Sequence, residues 1–331
     1  MHPSENLAAC QRTDQQDTLC IGLDLAWFGG SAGVRDSQFD CIATAHIDAT
    51  GKLGNLTTER VDLRPRMRDP QAEWLSQCIA ALLSRAPVTS RVVLAIDAPL
   101  QTNQNHLPDR QARPVSGTVA RRACDIHFNH LRKSIDRASG GARGWHPNIQ
   151  PGAPLAPRVQ HLLRRLAEQD FSIWSSGVTS TSRLAIECFP AEAIWAVHRL
   201  GHYPTHFTAA RAKAYKAQQG CLLTEAQVRA VVTDALTSFS FVTATPAEWH
   251  GVVGHLVSWL LKDELWMKGL LYRGGKLLDD AVDATICLTT AIAYTRGCSH
   301  LWQDSGSLED GHIIGPGLPE ERSRLSMRPA D

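Results

Sequence analysis

The sequence predicts an α/β protein: a mixed sheet in βββαβαβα order, flanked by helices, with helical insertions at about 102–181 and 205–275. Three observations predict it. An apolar run from Leu19 to Ala26 holds a single acid, Asp24, and leads into Trp27 and the turn-prone Gly29, Gly30 and Gly33, the pattern of a buried strand entering a loop. Two roughly alternating stretches, Asp40 to Ile47 and Leu56 to Leu63, are separated by Asp48 to Gly54, which predicts a hairpin with a glycine-containing loop. A short β-branched run, Arg91 to Ile96, stops at Asp97-Ala98-Pro99 and follows a helical pattern, as a buried parallel strand does.

Taken in order, residues 1–17 are polar and read as a tail, and the folded region runs from 18 to 316. After the three-strand meander, Asp69 caps a helix with Pro70 in its first turn, and Trp74, Leu75, Cys78, Ile79, Leu82 and Leu83 recur at helical spacing until Pro87. Gln101 to Ser182 carries a basic segment and a Gly/Pro-rich stretch without a strand signal, and Gln160 to Gln169 within it reads as a helix. Arg183 to Phe189 is a strand with Arg183, Ala185, Glu187 and Phe189 on one face, and Pro190 opens a helix that ends at Gly201. Three helices are expected in the second insertion, at Thr208 to Gln218, Thr224 to Ser238 and from Pro246 onwards. An apolar helix from Leu278 to Tyr294 follows, then Gly297, two strand-like pieces near Leu301 and His312 to Ile314, and a tail from 317 to 331.

Composition excludes several classes. Hydrophobic residues make up 43% and charged residues 20%, ordinary globular values. No stretch of ~18 uncharged apolar residues offers a membrane span, and the N-terminus lacks a basic region and an apolar core of a secretory signal, so a cytoplasmic protein is expected. The nine cysteines are scattered, with no Cys-x-x-Cys pair, which argues against a disulfide framework and a zinc knuckle. His198, His202 and His206 have the spacing of ligands on one helix face, but Gly201 and Pro204 interrupt that helix. The net charge of +1 conceals an uneven distribution: Arg110 to Arg165 holds 11 Lys/Arg against 2 acids, leaving −8 on the rest. Such a segment either holds phosphates or is a solvated face of arginine-rich helices.

Four carboxylates stand where a core prefers apolar residues: Asp24 in IGLDLAW, Asp97 at the end of VVLAID, Glu187 in LAIECF, and Asp283, the only charged residue from Ala281 to Tyr294. An unpaired buried charge costs several kcal/mol unless it is protonated, paired or bound to metal. Metal coordination accounts for all four economically, because Mg²⁺ and Mn²⁺ prefer carboxylate oxygen and a cation relieves the repulsion of clustered acids. In βββαβ order the first and fourth strands lie side by side, which brings Asp24 and Asp97 together; Asp280 and Asp283 share a helix face and close the site from a third side. Structural alternatives stay open: Asp279 or Asp280 as a helix cap, Glu187 paired with an arginine of the basic segment, and Asp97 organising the turn into Pro99.

At these residues the chain resembles domain of unknown function family 429, a set of proteins predicted to be nucleases with an RNase H-like fold. The matching motifs are GLDLAW (22–27), AIDAPL (95–100), RRACD (121–125), IECFPAEA (186–193) and DDAVDATICLTTAIA (279–293), over roughly residues 20–316. The resemblance implies an RNase H-like mixed sheet and carries the acidic role to Asp24, Asp97 and Asp280/Asp283.

The leading expectation is therefore a metal-dependent nuclease. Asp24 and Asp97 bridge Mg²⁺ or Mn²⁺, Asp280 and Asp283 complete the cage, Glu187 assists a ligand or orients water, and Arg113, Arg121, Arg122 and Arg132 hold the nucleic-acid backbone. Two other readings remain. In an actin-like or sugar-kinase-type phosphotransferase, Gly29, Gly30 and Gly33 would cradle an ATP phosphate, although no second Asp-x-Gly-x-Thr loop is present. In a non-catalytic nucleic-acid or protein binding module, the acids would be structural pairs.

Overall fold

The structure is a computed structural model, and it describes residues 16–25, 39–62, 77, 79–81, 83–84, 91–98, 100, 162–174, 181–190, 193–194, 197, 209–212, 214–217, 221–263, 271–302 and 313–316. Strands β1 (Thr18–Asp24), β2 (Phe39–Ile47) and β3 (Leu53–Asp62) form the expected antiparallel meander. Strand β4 (Arg91–Asp97) then pairs parallel to β1, β6 (Arg183–Cys188) pairs parallel to β4, and β5 (Ser172–Ile173) adds a parallel edge. The sheet order is β3-β2-β1-β4-β6-β5, a six-stranded mixed sheet flanked by helices and consistent with an RNase H-like fold.

The centre of the sheet is apolar on both faces because helices cover both. Cys20, Val93, Ala95, Leu184 and Ile186 point one way, into a core shared with helix α3 (Leu271–Thr295). Leu19, Ile21, Leu23, Val92, Leu94 and Ile96 point the other way, onto Ile79, Leu162 and Leu166. Helix α3 lies against β1 and approaches its backbone at Gly22, where any Cβ would collide with the backbone of Ala284 and Leu288. Glycine is required there for proximity and not for its dihedral freedom. The helix stops at Thr295, and just beyond it Gly297 takes φ +70° while the Cys298 N–H closes back on the Ala293 carbonyl at 2.7 Å.

The helices expected in the second insertion are present, with changed limits. The first splits into a short helix, Ala209–Ala212, and a 3₁₀ turn, Ala214–Ala217. Helix α1 (Glu225–Leu236) starts at a Thr224/Gln227 capping box and runs on into a 3₁₀ segment, Thr237–Val242. Helix α2 (Pro246–Lys262) has Thr245 as its N-cap and Pro246 in its first turn. Tyr215, Val228, Val232, Leu236, Trp249, Leu256 and Leu260 belong to the same core as α3 and that face of the sheet. Glu248 fastens α2 to the sheet by accepting from the Leu53 N–H at 2.9 Å, and Arg60 on β3 pairs with Asp263 at 2.8 Å.

Three expectations need correction. The stretch from Gln101 to Ser182 does contain a strand, β5, but two residues are too few to show alternation. The last long helix begins at Leu271 and not at Leu278, because the LYRGGK segment offers no apolar periodicity; Asp279 and Asp280 therefore lie inside it and cap nothing. Cys298 is disulfide-bonded, which the scattered cysteine spacing did not suggest, whereas Cys20, Cys41, Cys188 and Cys287 are buried free thiols. The two strand-like pieces at the end pair as an antiparallel ribbon, β7 (Ser299–Trp302) and β8 (Ile313–Pro316). Among the described residues no helix is long and apolar enough to cross a membrane.

Candidate metal centre

Strands β1 and β4 run parallel and in register, so the acids that end them, Asp24 and Asp97, are direct partners at the same edge of the sheet. Side chains alternate along a strand, and counting from Cys20 and Val93 places both acids on the face covered by α3. The approach of α3 at Gly22 brings Asp283 to that edge. Asp24, Asp97 and Asp283 each offer a carboxylate oxygen, and the three atoms lie within 4.8 Å of one another. At that separation two ionised carboxylates repel by roughly 3 kcal/mol with an effective dielectric constant of 20. Asp24 and Asp283 are each 4% exposed and Asp97 is partly buried, so water does little to screen them.

The proton equilibria reflect this crowding. Burial, followed by the charges of Asp280, Asp283 and Asp97, pushes the Asp24 carboxyl well above the usual carboxylate range. Burial and then Asp283 push Asp97 up to about 7, against the pull of Lys216 and a hydrogen bond with Asp24. Asp280, one turn before Asp283 on α3, is raised by burial to about 6 although Lys276 draws it down. Burial and mutual repulsion thus make Asp24, Asp97 and Asp280 harder to ionise than free carboxyls, and a bound cation would reverse that.

Two lysines reach the cluster, and neither was singled out from the sequence. Lys276 pairs with Asp280 Oδ1 on the same helix at i,i+4 spacing, and Lys216 pairs with Asp283 Oδ2 from the 3₁₀ turn. Beside it the buried Tyr215 donates its Oη hydrogen to Asp283 Oδ1 at 2.7 Å. The Lys276–Asp280 spacing was visible in the sequence; the meeting of Tyr215 and Lys216 with Asp283 spans more than 60 residues and left no local signal.

A divalent ion fits this donor set. Asp24, Asp97, Asp280 and Asp283, with the buried Asp279 nearby, outnumber the two lysines, so the ionised site keeps a negative balance that a cation would offset. Asp280 Oδ2 is buried without a hydrogen-bond partner among the described residues, on a side chain 2% exposed. The nearby thiols do not compete as ligands: burial pushes Cys41 and Cys287 well above the ordinary thiol value, so both stay protonated. What remains is an all-oxygen site suited to a hard cation.

The structure does not bring Glu187 into this group. Residue 187 is on the opposite face of β6, the one with Ala185, and its carboxylate accepts from the Leu100 N–H at 2.9 Å, holding the chain that follows Asp97. Arg113, Arg121, Arg122 and Arg132 lie outside the described residues, as do Gly29, Gly30, Gly33, His198, His202 and His206.

No curated protein and no solved structure matches the chain. A family model, that of the proteins of unknown function named DUF429, matches residues 42–305. Asp97, Lys216, Asp280 and Asp283 fall within that span, and Asp24 on β1 precedes it. The match covers most of the chain, which therefore belongs to the DUF429 family.

Proposed function

We propose that this chain is a divalent-metal-dependent nuclease that hydrolyses phosphodiester bonds of nucleic acid, with Mg²⁺ or Mn²⁺ as its ion, acting in the cytoplasm. One observation carries the reading: three carboxylates from two adjacent parallel strands and a crossing helix converge within 4.8 Å in a buried, all-oxygen pocket. Asp24, Asp97 and Asp283 would hold the ion, with Asp280 beside them. When bound, the ion supplies Lewis-acid polarisation of a phosphoryl oxygen and a nucleophilic water at neutral pH.

The chain's own groups prepare that chemistry. The raised carboxyls of Asp24 and Asp97 lose whatever protons they hold as the ion binds, so affinity rises with pH. Tyr215 orients Asp283, Lys276 neutralises Asp280, and Glu187 acts as a positioning residue for the segment after Asp97. Arg113, Arg121, Arg122 and Arg132, within the segment of charge +9, would hold the substrate's phosphates.

The test is Mn²⁺-dependent cleavage of labelled DNA and RNA by the wild type, Asp24→Asn and Asp283→Asn. Each substitution brings cleavage to background while circular dichroism shows an intact fold. Full activity in both variants overturns the reading. Mn²⁺ should also stabilise the wild type by roughly 2.7 kcal/mol at a hundredfold excess over its dissociation constant, and neither variant to that extent.

A further inference from the structure

We propose that Lys216 is a displaceable internal cation, which holds Asp283 until a divalent ion takes that carboxylate and then binds a phosphate oxygen of the anionic substrate. This rests on the metal-site reading above and deepens it by naming the group that meets the substrate.

The two lysines of the cluster differ in a way that separates their roles. Lys276 stands on α3 four residues before Asp280, so the helix itself fixes that pair, and its side chain is 27% exposed. Lys216 comes from a separate element, and its side chain is 42% exposed although its partner Asp283 is only 6% exposed. The Lys216 ammonium therefore stands between the buried carboxylates and solvent, where a polyanionic substrate must arrive.

Displacement does not require the turn to move. Tyr215 is 0% exposed and holds both the turn and Asp283 Oδ1, so Oδ2 can exchange its partner while the lysine stem swings. The ammonium end of the pair is half-exposed and can return to water, and a divalent charge among several carboxylates outcompetes a single ammonium for Asp283 Oδ2. The unpartnered Asp280 Oδ2 indicates independently that Lys216 and Lys276 do not satisfy the cluster. Once released, a flexible ammonium beside a bound metal faces the oxygens of a phosphate, a group that lysine binds as a point charge.

Calorimetry with Mn²⁺ and inorganic phosphate on the full chain tests this, using wild type, Lys216→Met and Lys216→Arg. Mn²⁺ should bind Lys216→Met about tenfold tighter, because a competing cation is gone. Phosphate should bind the Mn²⁺-loaded Lys216→Met about tenfold more weakly than the loaded wild type, and Lys216→Arg should restore it. Unchanged or weaker Mn²⁺ binding overturns the proposal. So does phosphate affinity that is absent in the wild type or unaltered by Lys216→Met. Should Lys216→Met fail to fold, Lys216→Gln carries the same expectations at this half-exposed position. The outcome is separable from the nuclease reading: the predicted binding pattern without cleavage of any nucleic acid sinks the nuclease alone. Wild-type cleavage by Lys216→Met sinks the role of Lys216 alone.

Discussion

The two halves of α3 share one helix and do opposite things. Its amino-terminal half presents Lys276, Asp279, Asp280 and Asp283 at the acidic edge of the sheet. Its carboxyl-terminal half buries Ile286, Leu288, Ala291 and Ile292 and runs so close to β1 that only Gly22 fits beneath it. Burying charge destabilises and burying apolar surface stabilises, so the second half anchors what the first half by itself would expel. Nothing in the acidic half needs to favour folding as long as the apolar half holds the helix against the strand.

Breaking the anchor has the largest expected effect. Gly22→Val places a branched side chain against the backbone of Ala284 and Leu288 and should cost at least ~3 kcal/mol, measured by urea denaturation, with the Mn²⁺ response lost alongside. A stability within 1 kcal/mol of wild type would mean that the close approach is not what aligns Asp283.

The acidic half makes a prediction about pH. Asp24, Asp97 and Asp280 have raised carboxyl pKa values in the fold, the latter two at about 7 and about 6. The unfolded chain releases these protons near pH 4 and the native state keeps them, so their contribution to stability is complete below pH 4. It is lost as pH rises through 6 and 7. Metal-free protein should therefore lose on the order of 2 kcal/mol between pH 5 and pH 8, and Mn²⁺ or Asp24→Asn should flatten that slope. A slope identical in wild type and Asp24→Asn would show that the clustered charges are not its source.

The smallest expected effect is at the joint between the halves. Thr285 Oγ1 donates to the Ala281 carbonyl at 2.8 Å inside the helix, and Thr285→Val removes that bond at a cost of about 1 kcal/mol or less by thermal unfolding. Mn²⁺ binding should not change, since the anchor that sets the acids in place is untouched. A loss of Mn²⁺ affinity would show that the two halves are coupled through this residue as well as through Gly22.

Much of the fold was legible because its signals are local. The apolar runs around Asp24 and Asp97 mark both strands and the acid that ends each, and a lone Asp283 in a long apolar stretch marks a buried charge. The start of α3 was misread because glycines hide helical periodicity, and the mistake left Asp280 open to being read as a cap. Glu187 was grouped with the other acids because alternation assigns a residue to a face of its own strand without saying which layer covers that face.

By itself the sequence determined most of the elements, their order and three of the buried carboxylates, Asp24, Glu187 and Asp283, since periodicity and composition act over a few residues; the burial of Asp40, Asp279 and Asp280 came from packing. Only the tertiary structure decided which of those acids meet. The registers of β1 with β4 and β4 with β6, and the crossing of α3 at Gly22, are relations between segments far apart in the chain, set by packing. The same relations bring Lys216 to Asp283, a contact between residues with no local pattern in common.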